Sequence, residues 1–292
     1  MTRLLRRCAL ALVLMATGAT QIWAQAPPED PASGAAATAA TTAQPADDPD
    51  RDPNNAQPDF FVATIPTTLR LPKHKMAFRL THRFARPLGQ GDFSDLLADF
   101  FGFDSGAQMG FGLSYGLFGG TQLGFYRTSD RTIQFSTTYE VLNQKNAPLG
   151  LAVVANIDGT NNFSDSYSPG VQAVMSREIG EHAAVYAAPA YVNNSNLEPS
   201  ELVDHNDTFL MGLGTRVRVL KNTYVTFEAS PRLSGNAPGV TLLSFGVEAR
   251  AGGHLFQLNF SNGFGTTLAQ VARGGTAYDD WYIGFNLSRK FF

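Results

Sequence analysis

The chain has 292 residues, of which 22 are Phe and 9 are Tyr, and charged residues make up 16% of it. A soluble domain would carry about a quarter of its residues as charges, so this composition disfavours an ordinary soluble protein. The net charge is −3, and loss of the three arginines near the N-terminus would make it −6, which disfavours nucleic acid as a partner.

Residues 1–24 predict a secretory signal peptide. Arg3, Arg6 and Arg7 precede a short apolar run, and Ala24 offers a cleavage site. The alternative is a membrane anchor, but a spanning helix needs about 20 apolar residues and this run is shorter. The single cysteine, Cys8, would leave with the peptide, so the mature chain would have no disulfide and no thiol nucleophile.

Residues 25–59 predict a disordered acidic periplasmic segment. They are rich in Ala and Pro and carry seven acidic residues against one arginine, too little apolar surface to offset the entropy of ordering. Residues 60–71, which contain Pro66 and are followed by Pro72, form a transition between this segment and the first predicted strand.

Residues 60–292 predict an all-β fold, a transmembrane antiparallel up-and-down β-barrel. Apolar and polar residues alternate, as they do where one strand face meets lipid and the other meets the lumen. About twelve strands are expected, an even number that suits bacterial barrels. Their predicted ranges are 76–84, 109–117, 122–126, 133–141, 151–158, 171–178, 185–192, 209–219, 224–230, 242–250, 255–261 and 281–292.

The predicted connections alternate between tight and long. Tight links fall at 118–120, 143–148, 179–182, 221–222 and 252–253, and long ones at 87–107, 159–168, 193–207, 233–239 and 262–280. Outer-membrane barrels have short periplasmic turns and long external loops, so both chain ends are expected in the periplasm. The exception is 128–131, a short link on the external side.

One long link predicts a short amphipathic loop helix at 92–101. Its apolar residues, at 93, 96, 97, 100 and 101, share one helical face, and its other face is acidic. Such a helix would pack on the barrel rim or form a plug or lid over the pore mouth.

The last strand starts at Trp281 and ends on an aromatic pair. It resembles the closing strand of bacterial outer-membrane β-barrels, in which the terminal aromatic serves as the assembly signal. Trp281, Phe285, Phe291 and Phe292 would form that signal for the outer-membrane assembly machinery, although Phe292 is one residue out of phase.

Three further motifs strengthen the resemblance. Leu-Pro-Lys at 71–73, Thr-His-Arg-Phe at 81–84 and Phe-Gly-Phe-Asp-Ser-Gly-Ala at 101–107 precede the aromatic end. Together they resemble a family of bacterial membrane-bound β-barrel proteins of unknown function, over roughly 60–292. The resemblance implies a barrel and supplies no catalytic residues.

The inner strand phase predicts a set of lumen-facing charges. They either form satisfied pairs that brace a narrow barrel or set the selectivity of an aqueous path. The set is Arg79, Arg83, Glu140, Arg216, Arg218, Glu228, Glu248 and Arg250.

No catalytic, cofactor or metal site is predicted. His82 falls on the outward phase and is followed by Arg83, without the serine that outer-membrane phospholipases pair with such a histidine. Residues 204–207 combine Asp, His and Asn but lack the spacing of a calcium loop.

The sequence therefore favours a passive channel for small solutes in the bacterial outer membrane, with the lipid bilayer as its surroundings. The alternative is a non-conducting barrel that serves as a binding or structural scaffold, and a filled bore would favour it. A lipid-acting enzyme is the remote third possibility.

Overall fold

The computed structural model describes residues 56–197 and 206–291 and contains thirteen strands there. All belong to one antiparallel sheet. The strands are β1 (Met76–Phe84), β2 (Ala107–Phe118), β3 (Thr121–Thr128), β4 (Ile133–Leu142), β5 (Gly150–Gly159), β6 (Tyr167–Ile179), β7 (Ala183–Asn193), β8 (Asp207–Leu220), β9 (Thr223–Ser230), β10 (Arg232–Gly235), β11 (Leu242–Ala251), β12 (His254–Ser261) and β13 (Tyr282–Phe291).

The sheet closes into a barrel of twelve wall strands. Each strand pairs with its neighbours along the chain, and β1 pairs with β13 from Met76 opposite Phe291 to Arg83 opposite Gly284. Strand β10 continues β9 along β8, and Pro231 separates them because proline has no N–H for the ladder. The predicted fold is confirmed, and each predicted strand overlaps an observed one.

Side chains alternate between the barrel exterior and a buried interior. Along β11 and β13 every second residue is buried, as the period of two requires. Outward aromatic residues stay exposed, with Phe111 at 44% and Phe285 at 36%. In the described residues, no helix has the length and apolar character needed to span a membrane.

The two barrel rims differ in their connections. The terminal rim, where Met76 and Phe291 lie, carries the tight turns 119–120, 143–149, 180–182, 221–222 and 252–253. The loop rim carries 85–106, 129–132, 160–166, 194–206, 236–241 and 262–281. This pattern matches the expected alternation, including the short link near residue 130.

The predicted loop helix is shorter than expected and does not enter the bore. Helix α1 (Phe93–Ala98) is followed by a 3-10 helix at Phe100–Ser105, because Phe101 and Gly102 take positive φ and break the α-helical path. Hydrogen bonds from the Ser94 hydroxyl and the Asp95 and Ser94 amides lower the pKa of Asp92, the N-cap. Helix α1 buries no side chain, and Phe93 is 63% exposed, so the hypothesis that this helix plugs the bore is wrong, and its role as a lid stays a prediction.

Candidate functional site: the occupied bore

The barrel bore is occupied by residues 56–72, which we call the plug. A tight turn at its tip is closed by the Val62 amide donating to the Ile65 carbonyl at 2.9 Å and by a bridge between Phe61 and Pro66. Ala56–Asp59, the last four residues of the predicted disordered segment, are buried here. The rest of that segment and the predicted signal peptide lie outside the described residues.

Glu228 of β9 holds the tip of the plug. Three successive amides, those of Ala63, Thr64 and Ile65, donate to its Oε2 at 3.0, 2.8 and 2.9 Å. The Thr64 hydroxyl donates to Oε1. Successive backbone N–H groups that converge in a turn form a concave site for an anion. The Glu228 carboxylate is that anion, so a buried charge and three buried amides satisfy one another.

The carbonyls of the same turn accept hydrogen bonds from other residues of the barrel wall. Arg216 Nη2 donates to the Phe61 oxygen at 2.7 Å, and Gln257 Nε2 donates to the Val62 oxygen at 2.7 Å. The Ala63 oxygen accepts from Arg79, whose guanidinium also lies 3.9 Å above the Phe61 ring. The wall therefore binds both the donors and the acceptors of the turn.

The plug is fixed to the barrel near the terminal rim as well. Lys290 Nζ donates to the Pro58 oxygen at 2.7 Å, and the hydroxyls of Thr68 and Ser176 form a hydrogen bond. Gly116 makes room for the exit of the plug, because a Cβ there would collide with the carbonyl oxygen of Pro72.

The wall around the plug tip, which we call the charged wall, consists of inward residues of β1, β8, β9 and β11–β13. Arg216 binds Glu248 through Nε and Nη2 at 2.7 and 2.9 Å, and both side chains are 0% exposed. Gln257 donates to Glu248 at 2.7 Å. The opposite charges of Arg216 and Glu248 and the hydrogen bonds to Glu228 therefore compensate these three buried charges in a low-dielectric interior.

The plug completes the charge balance of this wall. Three buried arginines, Arg79, Arg83 and Arg216, face two buried glutamates, Glu228 and Glu248. The plug adds a buried acid, Asp59, which acts electrostatically on Arg79 and Arg216. Without the plug, this wall would carry one excess positive charge.

Across the bore, amide and hydroxyl side chains on β3–β6 form what we call the neutral wall. Asp158 is the one buried acid on these strands in the described residues, and it accepts from Gln134 and Asn156. Between the neutral wall and the plug is a cavity of about 70 Å³, enough for several water molecules. Arg70 of the plug is the one charged side chain among the described residues that line this cavity. The neutral wall contributes Gln122, Gln134, Ser136, Thr138, Asn156 and Gln172.

A second segment closes the cavity from the loop rim. Helix α2 (Leu268–Ala272) folds inward, where Val271 and Ala272 pack with Leu210 and Leu242. The Ala269 amide donates to Asp158 at 3.1 Å. The sequence prediction of a single loop helix is therefore wrong.

The structure places the predicted charges in two groups. Arg79, Arg83, Arg216, Glu228 and Glu248 are buried together in the charged wall. Glu140, Arg218 and Arg250 lie near the terminal rim and are only partly buried, and Arg218 is 3.6 Å from Glu181. A selectivity role for the set stays a prediction.

Other predicted residues lie on the barrel exterior. His82 points outward and stacks on Phe285, with ring centroids 4.8 Å apart. Phe291 is exposed at the end of β13, Trp281 lies just before that strand, and Phe292 is outside the described residues. Residues 204 and 205, half of the segment that lacks calcium-loop spacing, are also outside them.

Two features of the bore were missed by sequence reasoning, although each left a signal. The plug contains the mostly apolar run Phe60–Ile65, which shows no lipid-facing alternation and lies between Pro58 and Pro66. Helix α2 has a capping box, in which Thr267 and Gln270 each bind the backbone of the other.

The family model described as a membrane bound beta barrel domain (DUF5777) matches residues 59–291. The chain belongs to this family. The match starts inside the plug, so the plug is part of the family domain and not a linker before it. The protein is thus a membrane-bound β-barrel, as the sequence motifs indicated. No curated protein matches the chain.

The chain is similar to several solved structures at low sequence identity. A NanC porin is 6% identical with a TM-score of 0.50, over 75% of this chain and 99% of that one. An outer membrane channel from Pseudomonas putida F1 is 12% identical with a TM-score of 0.47, over 77% of this chain and 98% of that one. A triple mutant of Rhodopseudomonas blastica porin is 14% identical with a TM-score of 0.35, over 68% of this chain and 58% of that one.

Proposed function

We propose that this protein is a bacterial outer-membrane channel for small solutes, and that its own plug keeps it closed. The observation that carries the proposal is that the bore holds a segment attached by hydrogen bonds and packing, none of them covalent, beside a polar cavity. Such a segment can leave without breaking the barrel wall.

In this proposal the terminal rim faces the periplasm and the loop rim faces outward. The lipid bilayer surrounds the exposed aromatic residues, and Trp281, Phe285 and Phe291 engage the assembly machinery. Passage is passive and needs no catalytic group, because polar walls and a displaced plug are sufficient to admit water and small solutes.

Conductance in planar bilayers tests the proposal. We expect the wild-type chain to be closed and Glu228→Ala to conduct, because the substitution leaves three buried amides unsatisfied. Hydrogen bonds to a charged group contribute roughly 1.5–3 kcal/mol each, and every 1.4 kcal/mol is about a tenfold change in plug occupancy.

A disulfide lock makes the test specific to the plug. The hydroxyls of Thr68 and Ser176 are in contact, so Thr68→Cys with Ser176→Cys places two sulfurs within bonding reach. The one native cysteine, Cys8, lies in the predicted signal peptide. Added to Glu228→Ala, the lock should abolish conductance when oxidised and restore it when reduced. Glu181→Ala, on an exposed acid away from the plug, is the matched control and should stay closed.

The filled bore favours a second candidate, a non-conducting scaffold. The plug and helix α2 together close the bore from both rims, which is the arrangement that a purely structural barrel would have. Folded Glu228→Ala protein without conductance at any voltage would eliminate the channel and leave the scaffold.

A further inference from the structure

The tip of the plug lies in a recess formed by Glu228, Arg79, Arg216 and Gln257. This recess binds the backbone of the tip. Of the described hydrogen bonds between the wall and residues 61–65, three come from amides and the wall donates to three carbonyls. The Thr64 hydroxyl makes the one side-chain hydrogen bond among them. Recognition of this kind depends on peptide backbone and hardly on sequence.

The side chains of the tip occupy apolar pockets. Val62 packs with Ala184 and Tyr186, and Ile65 packs with Val154, Val174 and Ala188. Gly212 leaves space for Ile65, since a Cβ at that position would lie 3.0 Å from Ile65 Cδ1. In peptide recognition, main-chain hydrogen bonds supply affinity, while pockets for side chains supply specificity.

We infer that this recess is a binding site for short aliphatic peptides and that the plug is its resident ligand. The inference rests on the proposed function, in that the plug must be able to leave. An incoming peptide places amide N–H groups, or its ammonium group, on Glu228. Its carbonyls accept from Arg79, Arg216 and Gln257, and its small aliphatic side chains enter the pockets of Val62 and Ile65.

The tether of the plug sets the concentration at which a peptide competes. A segment joined to its site by a short linker has an effective concentration of roughly millimolar. A free peptide therefore needs about that concentration against the wild-type plug. Weakening the plug at a point outside the recess lowers the requirement, and the contact between Thr68 and Ser176 is such a point.

Fluorescence anisotropy of a labelled peptide measures this binding without any need for conductance. The probe is a fluorescein-labelled Val-Ala-Thr-Ile amide, added to the full chain carrying Thr68→Cys and Ser176→Cys in detergent. The reduced form, with its plug loosened, should bind the probe about tenfold or more tightly than the oxidised form, in which the plug is locked. Each single cysteine variant should give the same result with and without reductant.

A peptide with N-methylated amide bonds is the matched control ligand, because it keeps the side chains but lacks the N–H donors for Glu228. It should bind about tenfold or more weakly than the probe. Equal binding to the locked and reduced forms, equal binding of the N-methylated peptide, or no binding to the reduced form would each overturn the inference. Conductance by Glu228→Ala, together with no peptide binding to the reduced Thr68→Cys, Ser176→Cys form, would retain the channel and reject only the peptide site.

Discussion

The two walls of the bore use polar residues in opposite ways. On the charged wall, Arg216, Glu228 and Glu248 are buried, and each is bound by other side chains or by the plug backbone. On the neutral wall, Gln122, Ser136 and Thr138 border a cavity. Buried charges require partners, whereas neutral polar groups can be satisfied by a few water molecules. The charged wall therefore holds the plug, and the neutral wall is suited to line an aqueous path for solutes.

The sequence predicts that the inner charges either brace a narrow barrel or set the selectivity of an aqueous path. The bidentate contact of Arg216 with Glu248 has the form of a bracing pair. The plug adds its own backbone and Asp59 to that arrangement. A selectivity role for these charges would begin only after the plug has left, when one positive charge is in excess.

The largest expected loss of stability follows Glu248→Ala. It leaves the buried Arg216 guanidinium without its carboxylate, and breaking a buried pair in this way costs roughly 3–5 kcal/mol. Urea unfolding in detergent, followed by the fluorescence of Trp281, measures it. Adding Arg216→Ala should recover part of the loss, because the unpaired charge is then gone. A cost under about 1 kcal/mol for Glu248→Ala alone would contradict a structural role for this wall.

Glu228→Gln should have an intermediate effect. The amide oxygen can still accept from the three turn amides, and its NH2 can donate to the Thr64 hydroxyl, but the negative charge near Arg79 is lost. We expect the plug to loosen by about 1–2 kcal/mol. Hydrogen exchange at Ala63, Thr64 and Ile65 should be faster than in the wild type and slower than in Glu228→Ala. Exchange as fast as in Glu228→Ala would show that charge, more than hydrogen bonding, holds the turn.

The smallest effect is expected for Ser136→Ala on the neutral wall. Ser136 borders the cavity and its hydroxyl forms no hydrogen bond with the described protein groups, so loss of the hydroxyl should change stability by less than about 0.5 kcal/mol. The same urea titration measures it, and Thr226→Ala on the charged wall, where Thr226 is 2% exposed, is the comparison. Equal losses at the two positions would contradict the distinction between the walls.

The sequence was sufficient to predict the barrel because its strands carry the pattern themselves. Phe245, Val247 and their inward neighbours Ser244 and Glu248 show which face meets lipid, and the alternating link lengths show which rim carries the loops. These are local signals, and lipid on one face allows little deviation from them.

The plug could not be predicted in the same way, since its contacts are long-range and involve backbone. Glu228 is 164 positions away from Thr64 in the chain, and the backbone amides that it binds occur in almost every residue. The side chains of Val62, Ala63 and Ile65 give no indication that their backbone binds a carboxylate. A five-residue helix such as α2 is likewise too short for a periodic signal, and only its capping box could have revealed it.

The position of the closing strand has a consequence for biogenesis. Strand β13 carries Asn286, which donates to the Ala63 oxygen at 3.4 Å, and Lys290, which donates to the Pro58 oxygen. The chain that enters the bore is made first, and these two donors are made last. In a nascent barrel, the plug therefore lacks these two hydrogen bonds until β13 pairs with β1. Closure of the barrel and complete attachment of the plug then occur in one event.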